Sequence, residues 1–512
     1  MERHPSATTD SLIRPEGSQP GWRFDNSYAR LPGTFFARVN PTPVAAPRVV
    51  VFNRGLAEEL GLNPEAFANG EAAAWLTGNA VPEGAEPIAQ AYAGHQFGHL
   101  ARLGDGRAIL LGEHLTPSRG RVDIQLKGPG PTPYSRRGDG RAALGPMLRE
   151  YLVSEAMHAL GIPTTRSLAV AATGEPVFRE RALPGAVLTR VAASHIRVGT
   201  FEYFAALGDV ESLRVLAEYT LRRHFPDRLG ADEPILGLLE EAVERQARLI
   251  AAWMRVGFVH GVMNTDNMAV SGETIDYGPC AFVDAYDPGT VFSSIDHQGR
   301  YALSQQPAIA AWNLARFAEA LLPLFLPDPN AAVPKVQAVL DTFQDRYRRH
   351  ARAARAGKLG LLEPQVEDDT LFEELLDWMH REAADHTQTF RELASRVTRD
   401  PGGSRVADSQ EARTAARIPP EPWRNRWQER LAAQGASPEA VMKRMNAHNP
   451  AVIPRNHVVE EVLEAATERQ DLAPFLDVLR AVSRPYDEDG QPDRLRHAPP
   501  PGTPRCRTFC GT

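Results

Sequence analysis

The stretch HGVMNTDNMAVSGETIDYG, His260 to Gly278, decides how the rest of the chain is read. His260 is followed by Asn264, Asp266 and Asn267, and a second acid, Asp276, sits in an Asp-Tyr-Gly triplet. Between the two polar groups run Met268-Ala-Val, Ser271-Gly272 and Glu273-Thr-Ile. Short apolar runs on either side of a Ser-Gly pair predict a β-hairpin that turns at Ser271-Gly272. Such a hairpin puts Asn267 and Asp276 at adjacent strand ends, facing one cavity. An amide oxygen and a carboxylate placed this way suit a hard cation such as Mg²⁺, which takes oxygen ligands and leaves positions for phosphate oxygens.

The spacing is that of the protein-kinase nucleotide site. There, His-x-Asp-x-x-x-x-Asn supplies a base and one metal ligand, and an Asp-Phe-Gly acid supplies the other. Asn267 stands in the Asn place and Asp276 in the acid's place. Five residues before Asn267, where a kinase keeps its base, this chain has Val262. Valine accepts no proton, so the metal-binding half of the pattern is present without its base. Asp266 is the nearest replacement. Any one of these polar residues alone would read as a helix cap or an Asx turn; the set at this spacing does not.

The chain around this stretch is ordinary for a globular protein. Its 512 residues amount to roughly three domains' worth of chain. It is 43% hydrophobic and 24% charged, enough to bury sizeable cores. A net charge of −7 argues against a chain-wide nucleic-acid surface. No apolar run approaches the ~18 residues of a membrane span. Residues 1–22, MERHPSATTDSLIRPEGSQPGW, lack the apolar core of a secretory signal and mix acids with arginines; they read as a flexible extension, and the expected location is the cytoplasm. Cys280, Cys506 and Cys510 are too few for a disulfide framework. On spacing alone, Cys506 and Cys510 read as two exposed thiols on a tail, since only His497 is near enough to join a metal site.

Upstream, Val49 to Phe52 and a helical segment from Gly55 to Leu62 read as an elaboration before the core. YAGHQFG (92–98) and LGDGRA (103–108) follow, and Gly104-x-Gly106-Arg107 falls in a turn before two strands, Ile109 to Glu113 and Arg121 to Lys127. Glycines let backbone N–H groups approach phosphate, and an arginine adds a fixed positive fork. Lys127 ends the second strand, where a kinase keeps its phosphate-holding lysine. A Gly/Pro loop, Gly128 to Gly140, leads into a helix that runs to about Leu160 and stops at Gly161 and Pro163. Glu150 and Glu155 compete as partner for Lys127, and the apolar stripe Leu148, Leu152, Ala159 favours Glu155. Strands are expected at Ser167 to Val170 and Ala186 to Thr189. Arg190 and Arg197, seven apart, could clamp a polyphosphate. A helix with the stripe Leu239, Val243, Ala247, Ile250, Met254 ends at Gly257 and delivers the chain to His260. Beyond Gly278, helices are expected from Pro307 to about Leu326, then a break from Pro327 to Pro334, then helices and linkers. Pro401-Gly-Gly-Ser reads as a linker and Arg444 to Pro450 as a helix-ending loop.

YAGHQFG, LGDGRA, QLKGPGPTPYSRRGDGRA, SEAMHALGIPTT and HGVMNTDNM…IDYGP together resemble the selenoprotein O (YdiU) family, from about Trp22 to the C-terminal Cys-Gly-Thr. The resemblance implies an α+β, protein-kinase-like two-lobed fold. It divides into an N-terminal extension (1–85), a nucleotide-cradling N-lobe (86–200), a C-lobe with the metal and catalytic loop (201–400) and a helical C-terminal region with a cysteine tail (401–512). It implies AMP transfer from ATP to Ser, Thr or Tyr hydroxyls of proteins, with UMP transfer and Mn²⁺ attributed to bacterial members. Gly104, Gly106, Arg107, Lys127, Asp139, Gly140, Arg190, Arg197 and Asp276 would contact an inverted nucleotide. Asn267 and Asp276 would hold Mg²⁺ and Asp266 would be the base. The family pattern places the lysine's partner at Glu150, against the stripe, and Cys510 where many members carry selenocysteine, which adds a redox reading of the tail. Two other functions compete: a phosphotransferase using Asp266, disfavoured by Val262, and an inactive nucleotide-binding scaffold, disfavoured by Lys127, Asn267 and Asp276.

Overall fold

A computed structural model describes residues 19–68, 70–397, 418–500, 502–503 and 506–508. The architecture is α+β: antiparallel sheets in the first part of the chain and helices through most of the rest. The expected linker at Pro401 and the thiol of Cys510 lie outside the described residues.

The main sheet has eight strands. Its path runs β1 (Phe36–Arg38), β3 (Ile88–Gln90), β6 (Ala108–Leu115), β7 (Arg121–Lys127), β10 (Ala182–Ala192), β9 (Arg166–Phe178) and β2 (Arg48–Phe52), with the short β8 (Ala142–Ala143) also paired to β10. Thus β1 and β2, from the segment that reads as an elaboration, are the two ends of the path. A separate two-stranded sheet joins β4 (Ala93–Gln96) to β5 (His99–Arg102). Its two-residue turn, Phe97-Gly98, has φ of 50° and 89°. Positive φ at both central residues is the type I′ pattern that matches the twist of a tight hairpin. A third pair, β11 (Phe258–Val259) and β12 (Ala281–Phe282), brackets the stretch from His260 to Gly278.

One face of the main sheet is covered by α1 (Arg54–Glu59), α2 (Gly70–Thr77) and the segment between them; Leu56, Leu60, Phe67 and Leu76 pack there with Ile124, Leu126, Leu168 and Val187. α3 (Leu144–Ala159) packs on the other side. Almost every residue of α3 from Met147 to Met157 is buried, because the late helices α14 (Asn456–Glu468) and α15 (Ala473–Val482) cover it from behind. Val459, Val462, Phe475 and Val478 meet Leu148, Tyr151 and Leu152 there. A helix buried all round has no single apolar stripe.

α4 (Val198–Leu207), α5 (Val210–His224), α6 (Pro234–Val256), α7 (Gln306–Leu321), α8 (Pro329–Asp341) and α9 (Phe343–Leu359) share the largest core. α6 shows the expected stripe, and Gly257 at φ 69° closes it in the left-handed conformation that glycine adopts without strain. α10 (Glu367–Glu382), α11 (His386–Arg396), α12 (Glu421–Ala432) and α13 (Pro438–His448) pack with the end of α9 around Trp378, Trp423 and Trp427, and α16 (Asp493–Arg496) adds Leu495 to the core over α3. No helix among the described residues is long and apolar enough to cross a membrane.

Three local expectations are corrected. The break from Pro327 to Pro334 is shorter: Pro329 opens α8 at its first position, and Pro334 lies inside the helix, where it costs one backbone hydrogen bond. Arg444 to His448 is the end of α13, not a loop. And Met268–Ile275 does not pair with itself. The turn is present, with Gly272 N–H donating to Ala269 O. The first arm, however, pairs with the segment before α4: Val198 N–H donates to Met268 O and Val270 N–H to Ile196 O. The second arm pairs with the loop after α3: Thr165 N–H donates to Thr274 O and Thr274 N–H to Pro163 O. Two backbones already anchored in the sheet take the hydrogen bonds a hairpin would have made within itself.

Candidate active site

The site grows from Lys127, the last residue of β7. Its ammonium lies 2.6 Å from Glu150 Oε2 and 2.9 Å from Asp276 Oδ1. Glu155, one turn further along α3, is taken elsewhere: it accepts from Arg166 Nε at 2.9 Å, Ser167 N–H at 3.1 Å and Asn53 Nδ2 at 2.8 Å. The stripe reading of Glu155 is therefore corrected to Glu150, for the reason that α3 is buried on every side.

Arg190 on β10 is fully buried. Its Nη2 donates to Gln125 Oε1 at 2.6 Å and its Nη1 to Asp276 Oδ1 at 2.7 Å, with Glu150 Oε1 at 3.3 Å. Arg197, at the start of α4, places Nη1 3.5 Å from Asp276 Oδ2 and donates to the backbone oxygen of Asp266 at 3.1 Å. Its guanidinium stacks 4.4 Å over the Tyr92 ring. Three buried cations thus converge on one partly buried carboxylate. Burial alone would raise the Asp276 carboxyl; Lys127, Arg190 and Arg197 overcome it and hold Asp276 well below the usual carboxylate range. Asp276 also sits at φ 64°, a left-handed conformation that aspartate tolerates better than most residues.

Asp266 lies in the single turn Thr265–Asn267. It is buried, its Oδ1 has no hydrogen-bond partner, and burial, opposed by Arg197, pushes its carboxyl up to about 6. Asn267 donates from Nδ2 to Val262 O at 2.9 Å, which occupies the amide's nitrogen end. The residue in the kinase base's place therefore orients Asn267 through its carbonyl. His260 is a brace: Nε2–H donates to Ile275 O at 2.9 Å, the ring stacks on Trp253, and burial lowers its pKa, so it is neutral.

A cavity of about 270 Å³ opens beside these groups, lined by Gly104, Gly106, Arg107, Asp139, Gly140 and Asp266 among others. A second, of about 440 Å³, reaches Arg107, Lys127, Glu150, Tyr277 and Gly278, so Arg107 faces both. Gly104 is required sterically: at φ 120°, an added Cβ would stand 2.5 Å from the Tyr134 ring. Asp139 is half-exposed and paired with Arg179 at 2.9 Å.

The structure gathers Lys127, Glu150, Arg190, Arg197 and Asp276 into one ionic cluster, joins Asp266 to it through Arg197, and lines the neighbouring cavity with the glycine turn and Asp139-Gly140. Among the described residues no three His, Cys, Asp or Glu side chains converge as a preformed metal cage. The donors present, the Asn267 amide oxygen and the Asp276 carboxylate, are of the kind Mg²⁺ or Mn²⁺ takes alongside phosphate oxygens. Cys506 is half-buried against Val283 and Phe292 rather than exposed, and Cys280 is buried, with its thiol pushed up to about 12.

The sequence profile of the family described as Protein adenylyltransferase SelO matches residues 21–483. The chain belongs to the SelO family. It is 57% identical over 492 residues to Protein nucleotidyltransferase YdiU of Geobacillus kaustophilus, covering 96% of this chain and 99% of that one. It is 56% identical over 494 residues to the protein of that name from Bradyrhizobium, with 96% and 99% covered, and 55% identical over 493 residues to that from Syntrophotalea carbinolica, with 96% and 98% covered. Membership makes the chain an enzyme of nucleotidyl transfer.

Several residues of this SelO-family site were not singled out by sequence reasoning. Asp105, the middle residue of the Gly-x-Gly turn, is buried with its carboxyl pushed up to about 6 by burial; Oδ2 accepts from Gln90 N–H at 3.0 Å and so pins the turn to the sheet. Tyr92 backs Arg197. His95, Glu202 and Thr265 surround Asp266, as described below. An acid between two glycines was the one legible signal; the others depend on contacts far apart in the chain.

Proposed function

We propose that the chain transfers AMP from ATP to Ser, Thr or Tyr hydroxyls of proteins, on a kinase-like two-lobed framework divided near residues 85, 200 and 400. The observation that carries this reading is the cluster in which Lys127, Arg190 and Arg197 grip Asp276 while Asp266, whose buried Oδ1 has no hydrogen-bond partner, lines the adjacent cavity. Protein acceptors are inferred from the names of the relatives. ATP as donor and the cytoplasm as location belong to the same reading.

In this mechanism the Gly104–Arg107 turn and Asp139-Gly140 hold the nucleoside end in the 270 Å³ cavity. Lys127, Arg190 and Arg197 bind the terminal phosphates, exchanging part of their hold on Asp276 for phosphate oxygens. Asn267 and Asp276 would hold Mg²⁺, or Mn²⁺ if UTP serves as donor; the ion would neutralise phosphate charge. Asp266 takes the proton of the acceptor hydroxyl as that oxygen attacks the α-phosphorus, and pyrophosphate leaves into the cationic pocket. Such transfers depend mainly on positioning and charge stabilisation, and a base contributes about 10²–10⁴-fold.

The test uses ATP labelled at α in one reaction and at γ in another, with Mg²⁺ and a mixed protein substrate. Label on protein from α alone supports nucleotidyl transfer to protein. Label from γ alone establishes a kinase. Label from neither, with ATP still bound, leaves the scaffold reading.

A further inference from the structure

The β4–β5 hairpin lies directly on the Asp266 turn, and its contacts are those of a clamp. His95 N–H donates to Thr265 Oγ1 at 2.7 Å, Thr265 Oγ1–H donates to Glu202 Oε2 at 2.5 Å, and His95 Nδ1 meets Glu202 Oε1 at 2.6 Å. These three bonds close a ring joining β4, the Asp266 turn and α4. Two residues past His95, in the hairpin turn, Phe97 N–H donates to Asn264 Oδ1 at 3.2 Å, which also accepts from Tyr301 O–H at 2.6 Å. The side chains of the consecutive residues Asn264 and Thr265 thus stand where a neighbouring strand's carbonyls would be. One residue before His95, Gly94 passes so close to Asp266 that a Cβ there would fall 2.2 Å from Oδ1. Gly199 on α4 is pressed against Ala93 O of β4, and its Cβ position lies 3.3 Å from Asp266 Cα.

We propose that Thr265, Glu202 and His95 are positioning residues: they fix the direction of the Asp266 carboxylate toward the acceptor hydroxyl and take no part in holding ATP. The inference rests on Asp266 being the base. Glu202 is the hub, because each of its two oxygens accepts from a different element. It is 4% exposed, so both bonds are made away from water, where losing one leaves a desolvated acceptor. Thr265 is the link closest to the base, one peptide unit away. A misplacement of about 1 Å costs an enzyme on the order of 10²-fold in rate. A residue acting only through Asp266 has nothing to contribute once Asp266 is gone.

The experiment measures the rate of α-label transfer at saturating ATP, and ATP affinity by direct binding, for the full chain and for Thr265→Val, Thr265→Ser, Asp266→Ala and the double variant Asp266→Ala/Thr265→Val. Valine keeps the shape and removes the hydroxyl; serine restores it. The expected result is an approximately 10²-fold slower Thr265→Val with ATP affinity within about threefold of the parent, recovery of most of the rate in Thr265→Ser, and no further loss from Thr265→Val once Asp266 is alanine. A slow Asp266→Ala with a Thr265→Val of parental rate overturns the positioning role alone, as does a serine variant no faster than the valine one. So does a valine penalty that persists in full in the Asp266→Ala background, which would mark Thr265 as structural. An Asp266→Ala of parental rate overturns the assignment of the base and the positioning role with it.

Discussion

At the scale of single residues, the arrangement around Asp276 sets the strongest expectations. Asp276→Ala removes both the counter-charge of three buried cations and a ligand of the proposed metal, so transfer should fall below detection; a turnover near the parent's would refute the site. Asp266→Ala should slow transfer by about 10²–10⁴-fold while ATP binding stays near normal, as read by comparing rate and affinity. Because Asp266 is pushed up to about 6, its proton-accepting form dominates only above that pH. The rate at saturating ATP should therefore rise with pH through a midpoint near 6 and level off, and this limb should be missing from the residual activity of Asp266→Ala. Much of the cluster was legible from residue types and spacing: Lys127 at a strand end, Asp276 in its Asp-Tyr-Gly triplet, two arginines seven apart. What spacing did not convey was that Arg190 and Arg197 meet on Asp276, because a strand and a helix start deliver them from a different part of the chain. The apolar stripe favoured Glu155 where the family pattern gave Glu150, since the choice depends on which side of a wholly buried helix faces β7.

At the scale of elements, the stretch from His260 to Gly278 was read correctly as a turn with two arms and wrongly as a hairpin. Period-2 patterning and a Ser-Gly turn specify extended arms, but not which backbone each arm will find. The real hairpin, β4–β5, escaped notice because its strands are short and its turn, Phe97-Gly98, lacks the usual Asn or Asp at the first position. Its closeness to Asp266 gives a further prediction. Gly94→Ala should push β4 off the Asp266 turn and cut transfer by at least 10²-fold, with ATP binding largely kept. Measuring both separates displacement of the hairpin from collapse of the nucleotide cavity.

At the scale of the whole molecule, the α+β class was readable from the order of strands and helices. The long-range packing was not: β1 and β2 join the main sheet from far upstream, and α14 and α15 come back to cover α3. Phe475 is fully buried in that contact. Phe475→Ala should cost about 3–5 kcal/mol of stability, read from chemical denaturation, although the residue is remote in sequence from every group in the site. Because α3 carries Glu150, loss of transfer should follow the same unfolding curve rather than precede it.

The cover on α3 also fixes when the enzyme can come into being. The chain leaves the ribosome N-terminus first, so Lys127, Asp266 and Asp276 are all synthesised well before Val459, Val462 and Phe475. Until those late residues emerge, the outer face of the helix holding Glu150 is bare apolar surface. The strap at Thr508, whose N–H donates to Phe292 O and whose hydroxyl donates to Pro279 O just beyond Asp276, does not yet exist. Domains fold as units during synthesis, and here the unit closes over the cluster only after those late residues have been made. A half-made chain thus carries every charged group of the site without the packing that covers the helix holding Glu150.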